Sequence, residues 1–257
     1  MTRASLLTIL RCLLAVGTPG AGRLVGSAHF ASSTLIMSRL SRFFYQNGLL
    51  LVTFVLIASA LVGQVLTGWH DNNADLHQMG LAALTLAQYL HSGHLLEATF
   101  ENWESEFLQM GMYVVLTIWL RQKGSPESKK LDEPEEVDQQ PNPQKPGAPW
   151  PVRRGGLWLA LYRHSLSLAL FGLFLGAFYL HAKGGAIVYN IEQAHEGRAP
   201  IGVWGYLHTA RFWFESFQNW QSEFVSIFSL VSLSIFLRQQ ASPQSKPVDA
   251  PTSTTGK

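Results

Sequence analysis

Leu49–Leu66, LLLVTFVLIASALVGQVL, is an 18-residue stretch without a single charge. A surface helix of a soluble protein needs a polar face, and this stretch has none. The hydrocarbon core of a bilayer is about 30 Å thick and takes about 20 residues at 1.5 Å rise, so the segment reads as a membrane span. Three further stretches follow. Leu166–Leu180 (LSLALFGLFLGAFYL) extends back through Leu157–Tyr162 if Arg163 and His164 snorkel. Phe107–Leu120 and Phe224–Leu237 hold 14 residues each, and starting them at Trp103 and Trp220 lengthens both to 18. That start also puts each indole at headgroup level, where an amphipathic ring is stable.

The composition agrees. Charged residues make up 14% of the 257, against about 25% in ordinary soluble domains. Hydrophobic residues reach 47%, with 8 Trp. A net charge of +2 gives no reason to expect a nucleic-acid partner. A single cysteine, Cys12, excludes an intramolecular disulfide framework and a Cys-rich metal cluster.

Shifting the chain by 117 residues lays its halves on one another without a gap. Asn102–Phe107 (NWESEF) meets Asn219–Phe224 (NWQSEF), and Leu120–Lys129 (LRQKGSPESK) meets Leu237–Lys246 (LRQQASPQSK). Over 101–129 against 218–246, 15 of 29 positions are identical, where chance at average composition gives about 2. The same offset pairs Tyr45 with Tyr162, Asn73 with Asn190, Gly80 with Gly197, and Tyr89–His91 with Tyr206–His208. Each unit reads span, outer segment, span. An even number of spans brings both units in from the same side, so the repeats should be parallel and not inverted. The expected fold is therefore all-α: a membrane protein of four transmembrane helices, packed as a pseudo-twofold bundle from two tandem two-span repeats.

Charge sets the expected orientation. Residues 67–106 carry six acids and no Lys or Arg, whereas 121–156 hold seven Lys and Arg. Arg39 and Arg42 precede the first span, and Arg238 and Lys246 follow the last. Positive residues stay inside, which predicts cytoplasmic termini and linker, with the aromatic loops outside. The domain reading is 1–36, an N-terminal extension or targeting segment; 37–129, repeat 1; 130–156, a linker; 157–246, repeat 2; and 247–257, a tail. Seven of the 12 prolines lie in 121–156 among Glu, Gln, Lys and Asp, so linker and tail should be disordered. Met37 is the favoured start, because the repeat begins just after it. Within the outer loops, Leu81–Leu90 and Ile201–Leu207 read as short helices lying in the interface, Pro200 being placed to open the second.

These residues resemble a family of uncharacterised bacterial integral membrane proteins, a domain of unknown function. The resemblance rests on the duplicated F-x-N-W-x-S-E-F and L-R-Q-x-x-S-P-x-S-K units and covers about residues 37–246. It implies a bacterial cytoplasmic membrane and four helices, and it transfers no catalytic residue.

The candidate functional residues are those retained between the units: Asn102, Trp103, Ser105 and Glu106, with Asn219, Trp220, Ser222 and Glu223. Spacing i, i+4 puts Asn102 and Glu106 on one helix face, beside a Trp103/Phe107 stripe. An acid inside a membrane is by default a functional candidate, and a twofold axis would bring Glu106 to Glu223. The competing reading is a helix N-terminus at the interface, where acids suit the dipole and Asn102 or Ser105 caps early N–H groups. Arg121 and Arg238 read as anchors at the inner leaflet.

His91, His94, Glu97 and Glu101 have a ligand-like spacing, but the second unit replaces the last three by Arg211, Phe214 and Gln218. The reading is accordingly no metal and no cofactor, with His91 and His208 in wet turns. No G-x-S-x-G, P-loop, dinucleotide fingerprint or H-E-x-x-H is present, so no enzyme is expected. The leading functional expectation is a structural or envelope protein that recognises membrane lipids, an envelope partner or a second copy of itself as a homodimer. The alternative is a small transporter or channel using Glu106 and Glu223 as a proton- or cation-linked pair.

Overall fold

The computed structural model describes residues 39–256; the expectations for residues 1–36, for a start at Met37 and for Cys12 lie outside them. The described residues are helical, with no strand among them. The chain divides into two compact units after Leu56. Of the first, the described part is helix, with Leu49, Leu50, Phe54, Val55 and Leu56 exposed. Every feature below belongs to the second unit, except that its first helix, α1, spans Arg39–Gln78 and so begins before the boundary.

After α1 come a short α2 (Leu86–Tyr89), the long α3 (Gly93–Trp119), a 3-10 turn at Glu136–Asp138, and α4 (Trp150–Arg154). Then follow α5 (Gly156–Arg163), α6 (Ser165–His195), a short α7 (Val203–Tyr206) and α8 (Ala210–Phe236). The pairs α2/α7 and α3/α8 have bounds 117 residues apart at both ends, and α1 matches α5 and α6 together.

Residues paired in the sequence do matching work. Gly80 and Gly197 take positive φ (69° and 71°) just past the ends of α1 and α6. Leu81 N–H then donates to Leu76 O, and Arg198 N–H to Gln193 O. This is the glycine helix stop, in which the left-handed residue lets the chain reach back to unsatisfied carbonyls. Asn73 and Asn190 each clamp the extended segment that follows. Their amides donate to Leu84 O and Ile201 O, and accept from the backbone N–H of the same residues at 2.7 and 2.8 Å. Ser92 and Thr209 cap α3 and α8 through Leu95 N–H and Phe212 N–H.

Two helices, α1 and α6, are long and apolar enough to cross a membrane. α3 and α8 have the length, 27 residues each, but their first halves are charged. Both begin ten residues before the expected Trp103 and Trp220, because those charges turn into the protein instead of ending the helix. The interfacial reading of Leu81–Leu90 and Ile201–Leu207 reduces to single turns, α2 and α7, that carry the fully buried Tyr89 and Tyr206. Along the linker, Lys129 pairs with Asp138. At the end of repeat 2, Lys246 is buried and donates to the carbonyls of Gly124 and of Thr252 and Thr254 in the tail.

α3 packs along α6 and, over a shorter stretch, along α8. The two backbones come close at Gly93 and Gly184. A Cβ on Gly184 would collide with the Glu97 backbone, and one on Gly93 with Ile187. Small residues that let helix backbones touch are the usual device of membrane bundles. Beside this crossing lies the apolar core of Ala182, Ala186, Tyr206 and Phe212, with Phe178 stacked edge-on to Phe212 at 5.0 Å.

Candidate functional site

The crossing puts polar side chains where three helices meet. Glu97, Glu101 and Glu104 follow one another at i, i+4, i+7 on α3 and so share a face. His181 sits on α6 about one turn before Gly184, and Arg211 and Glu215 lie an i, i+4 pair apart on α8. His181 and Glu104 are both fully buried. His181 Nδ1 is 3.0 Å from Glu104 Oε2, and the other oxygen of Glu104 accepts the Trp220 indole N–H at 3.1 Å. Glu104 thus takes a ring nitrogen on one oxygen and an indole N–H on the other, which fixes the direction of the imidazole.

His181 Nε2 points to the remaining acids. It lies 3.4 Å from Glu215 Oε2 and 4.0 Å from Glu101 Oε2, and it makes no hydrogen bond. Tyr206 Oη donates to Glu215 at 2.8 Å and lies 3.2 Å from Glu97 Oε1. Arg211 pairs with Glu215 through Nε at 2.9 Å and with Glu192 through its fork. Asn219 donates to Glu101 at 3.2 Å. Glu97 precedes the apolar stretch that starts at Trp103. Burial pushes its carboxyl up to about 7, helped by the charge of Glu215. The same burial, with Glu97 alongside, raises the Tyr206 phenol well above its ordinary range and keeps it a donor.

The cluster opens into a cavity of about 240 Å³ lined by Asp75, Glu97, Glu101, Glu192 and Glu215 together with His94 and Arg211. Among the described residues lining it, Arg211 is the one permanent cation. Buried carboxylates are costly unless paired, so the cavity attracts positive charge and concentrates it by focusing field lines between low-dielectric walls.

The residues singled out from the sequence divide around this cluster. Asn219 and Trp220 reach it, as just described. Asn102 and Ser105 bond back to Ala98 O and Asn102 O in the interior of α3, and Ser222 to Asn219 O in that of α8. None of them caps a helix, because α3 and α8 start at Ser92 and Thr209. Trp103 packs between Phe100 and Phe107 and stays 38% exposed. Glu106 and Glu223 lie within electrostatic reach of each other, away from His181, with Glu106 exposed. Arg121 and Arg238 turn their guanidinium groups back to the last carbonyls of α3 and α8, at Ile118 and at Ser234 and Ile235. His94 pairs with Tyr89 Oη, 3.0 Å away, and shares the cavity wall with Glu97 and Glu101, while Glu101 also faces His181.

His181, Glu104, Arg211 and Glu215 were not candidates by retention, since the other half carries Gln64, Gln221, His94 and Ala98 at those positions. The available signal was placement: an imidazole directly after the apolar run ending at Leu180, and an acid next to Trp103 just before an apolar stretch.

No curated protein and no solved structure matches the chain. One family model does, over residues 40–257, with the description domain of unknown function, DUF6766. It spans nearly all of the described residues, cluster included, and the chain belongs to this DUF6766 family.

Proposed function

We propose that the chain is a non-enzymatic, multi-pass protein of the bacterial cytoplasmic membrane that binds and passes cations through the Glu104–His181 cluster. Two tandem parallel two-span repeats supply four helices, with both termini and the linker on the cytoplasmic side. The charge asymmetry of the loops, the 117-residue spacing of matching helices and the inward-turned charges of α3 and α8 support this arrangement. Glu104 lies 15 residues before the end of α3, about 22 Å at 1.5 Å per residue, which puts the cluster in the outer part of a bilayer.

One observation carries the reading: a fully buried imidazole whose second nitrogen faces Glu101 and Glu215 with no hydrogen bond. Ionisable groups placed this way inside membrane bundles mark ion or proton pathways. The test is uptake by proteoliposomes carrying either a pH-reporting or a zinc-reporting dye. Wild type should exceed empty vesicles, and Glu104→Gln should lower the rate at least tenfold. Wild-type rates equal to those of empty vesicles for both dyes would sink the reading.

A second reading has its own observation. Trp204, Phe214 and Phe217 are more than half exposed beside Trp213, an aromatic belt suited to headgroups. It favours a structural role in contact with membrane lipids, an envelope protein or a second copy. Replacing Trp204 and Phe214 by Ser should then weaken retention in lipid or in a homodimer while uptake is unchanged.

A further inference from the structure

We infer that Glu97, His181 and Glu215 form a binding site for one divalent first-row transition-metal ion, with Glu104 positioning the imidazole. The inference rests on the cation reading above and names the class of cation. One ligand atom from each of the three residues falls within 4.8 Å of the other two. Ligands about 2.1 Å from a tetrahedral ion stand about 3.4 Å from each other, and the Nε2–Oε2 separation between His181 and Glu215 is 3.4 Å.

The orientation of the ring is the independent sign. A histidine that ligates a metal through one nitrogen nearly always donates the other N–H to a carboxylate or carbonyl, which fixes tautomer and direction. Glu104 is placed as that acceptor, 3.0 Å from Nδ1, and is itself held by the Trp220 N–H. Nε2 is fully buried without a hydrogen bond and faces carboxylates, which a bound positive ion would draw together with it. Tyr206 and Arg211 steady the carboxylates of Glu97 and Glu215 in the same manner.

Donor chemistry narrows the ion. One imidazole with two carboxylates suits Zn²⁺, Co²⁺, Mn²⁺ or Fe²⁺, whereas Mg²⁺ and Ca²⁺ prefer all-oxygen shells. A fourth position faces the acidic cavity, leaving room for water or for Glu101, whose Oε2 is 4.0 Å from Nε2. A site with an open position and an acidic approach allows an ion to enter and leave.

The experiment uses the full chain in mild detergent, stripped with a chelator and titrated with Zn²⁺ and with Co²⁺. The expected result is one ion per chain, a visible Co²⁺ spectrum, and X-ray absorption at bound zinc showing one imidazole among oxygen ligands. His181→Gln should weaken binding at least 100-fold and Glu104→Gln about 10- to 100-fold, while His91→Gln/His208→Gln binds as wild type. Helical circular dichroism of each variant separates lost ligation from lost folding, and the absorption spectrum on wild type needs no variant. Binding that survives in His181→Gln, saturation by Mg²⁺ in place of Zn²⁺, or zinc ligated without imidazole would overturn the assignment. Proton uptake without metal binding would remove the metal and keep the cation reading; metal binding without uptake would do the reverse.

Discussion

The two halves of the second unit build one scaffold and furnish it differently. In the first half Tyr89 closes over Gly68, and in the second Tyr206 closes over Gly185; both rings are fully buried. Tyr89 meets His94, and nearby Gln64 reaches Thr99 at 3.4 Å. Tyr206 instead meets two carboxylates, with Arg211 at the position equivalent to His94 and His181 at that of Gln64. What the halves share holds the helices and turns together. The charged groups of the cluster, Glu97, Glu101, Glu104, His181, Arg211 and Glu215, are those the halves do not share, and the retained Tyr206, Asn219 and Trp220 hold them. Retention between halves therefore points to structure here, and divergence points to the site.

Breaking the cluster should produce the largest effect on stability. Glu104→Ala leaves His181 and the Trp220 N–H without their buried acceptor, a loss of about 3–5 kcal/mol, readable as thermal unfolding in detergent. Gln64→Ala, at the position equivalent to His181, removes one long hydrogen bond and should cost about 1 kcal/mol. Equal losses would erase the contrast between halves. Next come the close approaches: Gly185→Ala and Gly68→Ala both push a Cβ into a tyrosine ring, and each should cost about 1–3 kcal/mol. A smaller pair follows in Asn190→Ala and Asn73→Ala, each of which gives up two bonds to one extended residue, about 1–2 kcal/mol. Smallest are the caps, Ser92→Ala and Thr209→Ala, at about 1 kcal/mol each. For the shared features the two halves should respond alike. A loss in one half only would show that the scaffold is not common to both.

The helical architecture was legible because apolar length and repeated turn residues are local signals. Gly80, Gly197, Asn73 and Asn190 stood out at the 117-residue offset, and each turned out to stop or clamp a helix. The starts of α3 and α8 were not legible, since Glu97, Glu101, Arg211 and Glu215 look like loop residues until a partner helix covers them. The cluster was hidden for the same reason. Its central hydrogen bond joins positions 77 residues apart, and the Tyr206–Glu97 bond joins positions 109 apart, so no spacing rule reaches them. Asn219, Trp220 and Tyr206 were visible from the sequence as retained residues, and Glu97 and Glu101 by their spacing, but the partners of Asn219 and Trp220, Glu101 and Glu104, are replaced by Gln in the other half.

The most direct measurement sets His181→Gln, which gives the second half the residue of the first, beside Glu106→Gln/Glu223→Gln in the same proteoliposome uptake assay. The account predicts at least a tenfold loss of cation uptake for His181→Gln and wild-type rates for the paired glutamate variant. Uptake that survives His181→Gln and disappears with Glu106→Gln/Glu223→Gln would contradict it and return the pathway to Glu106 and Glu223.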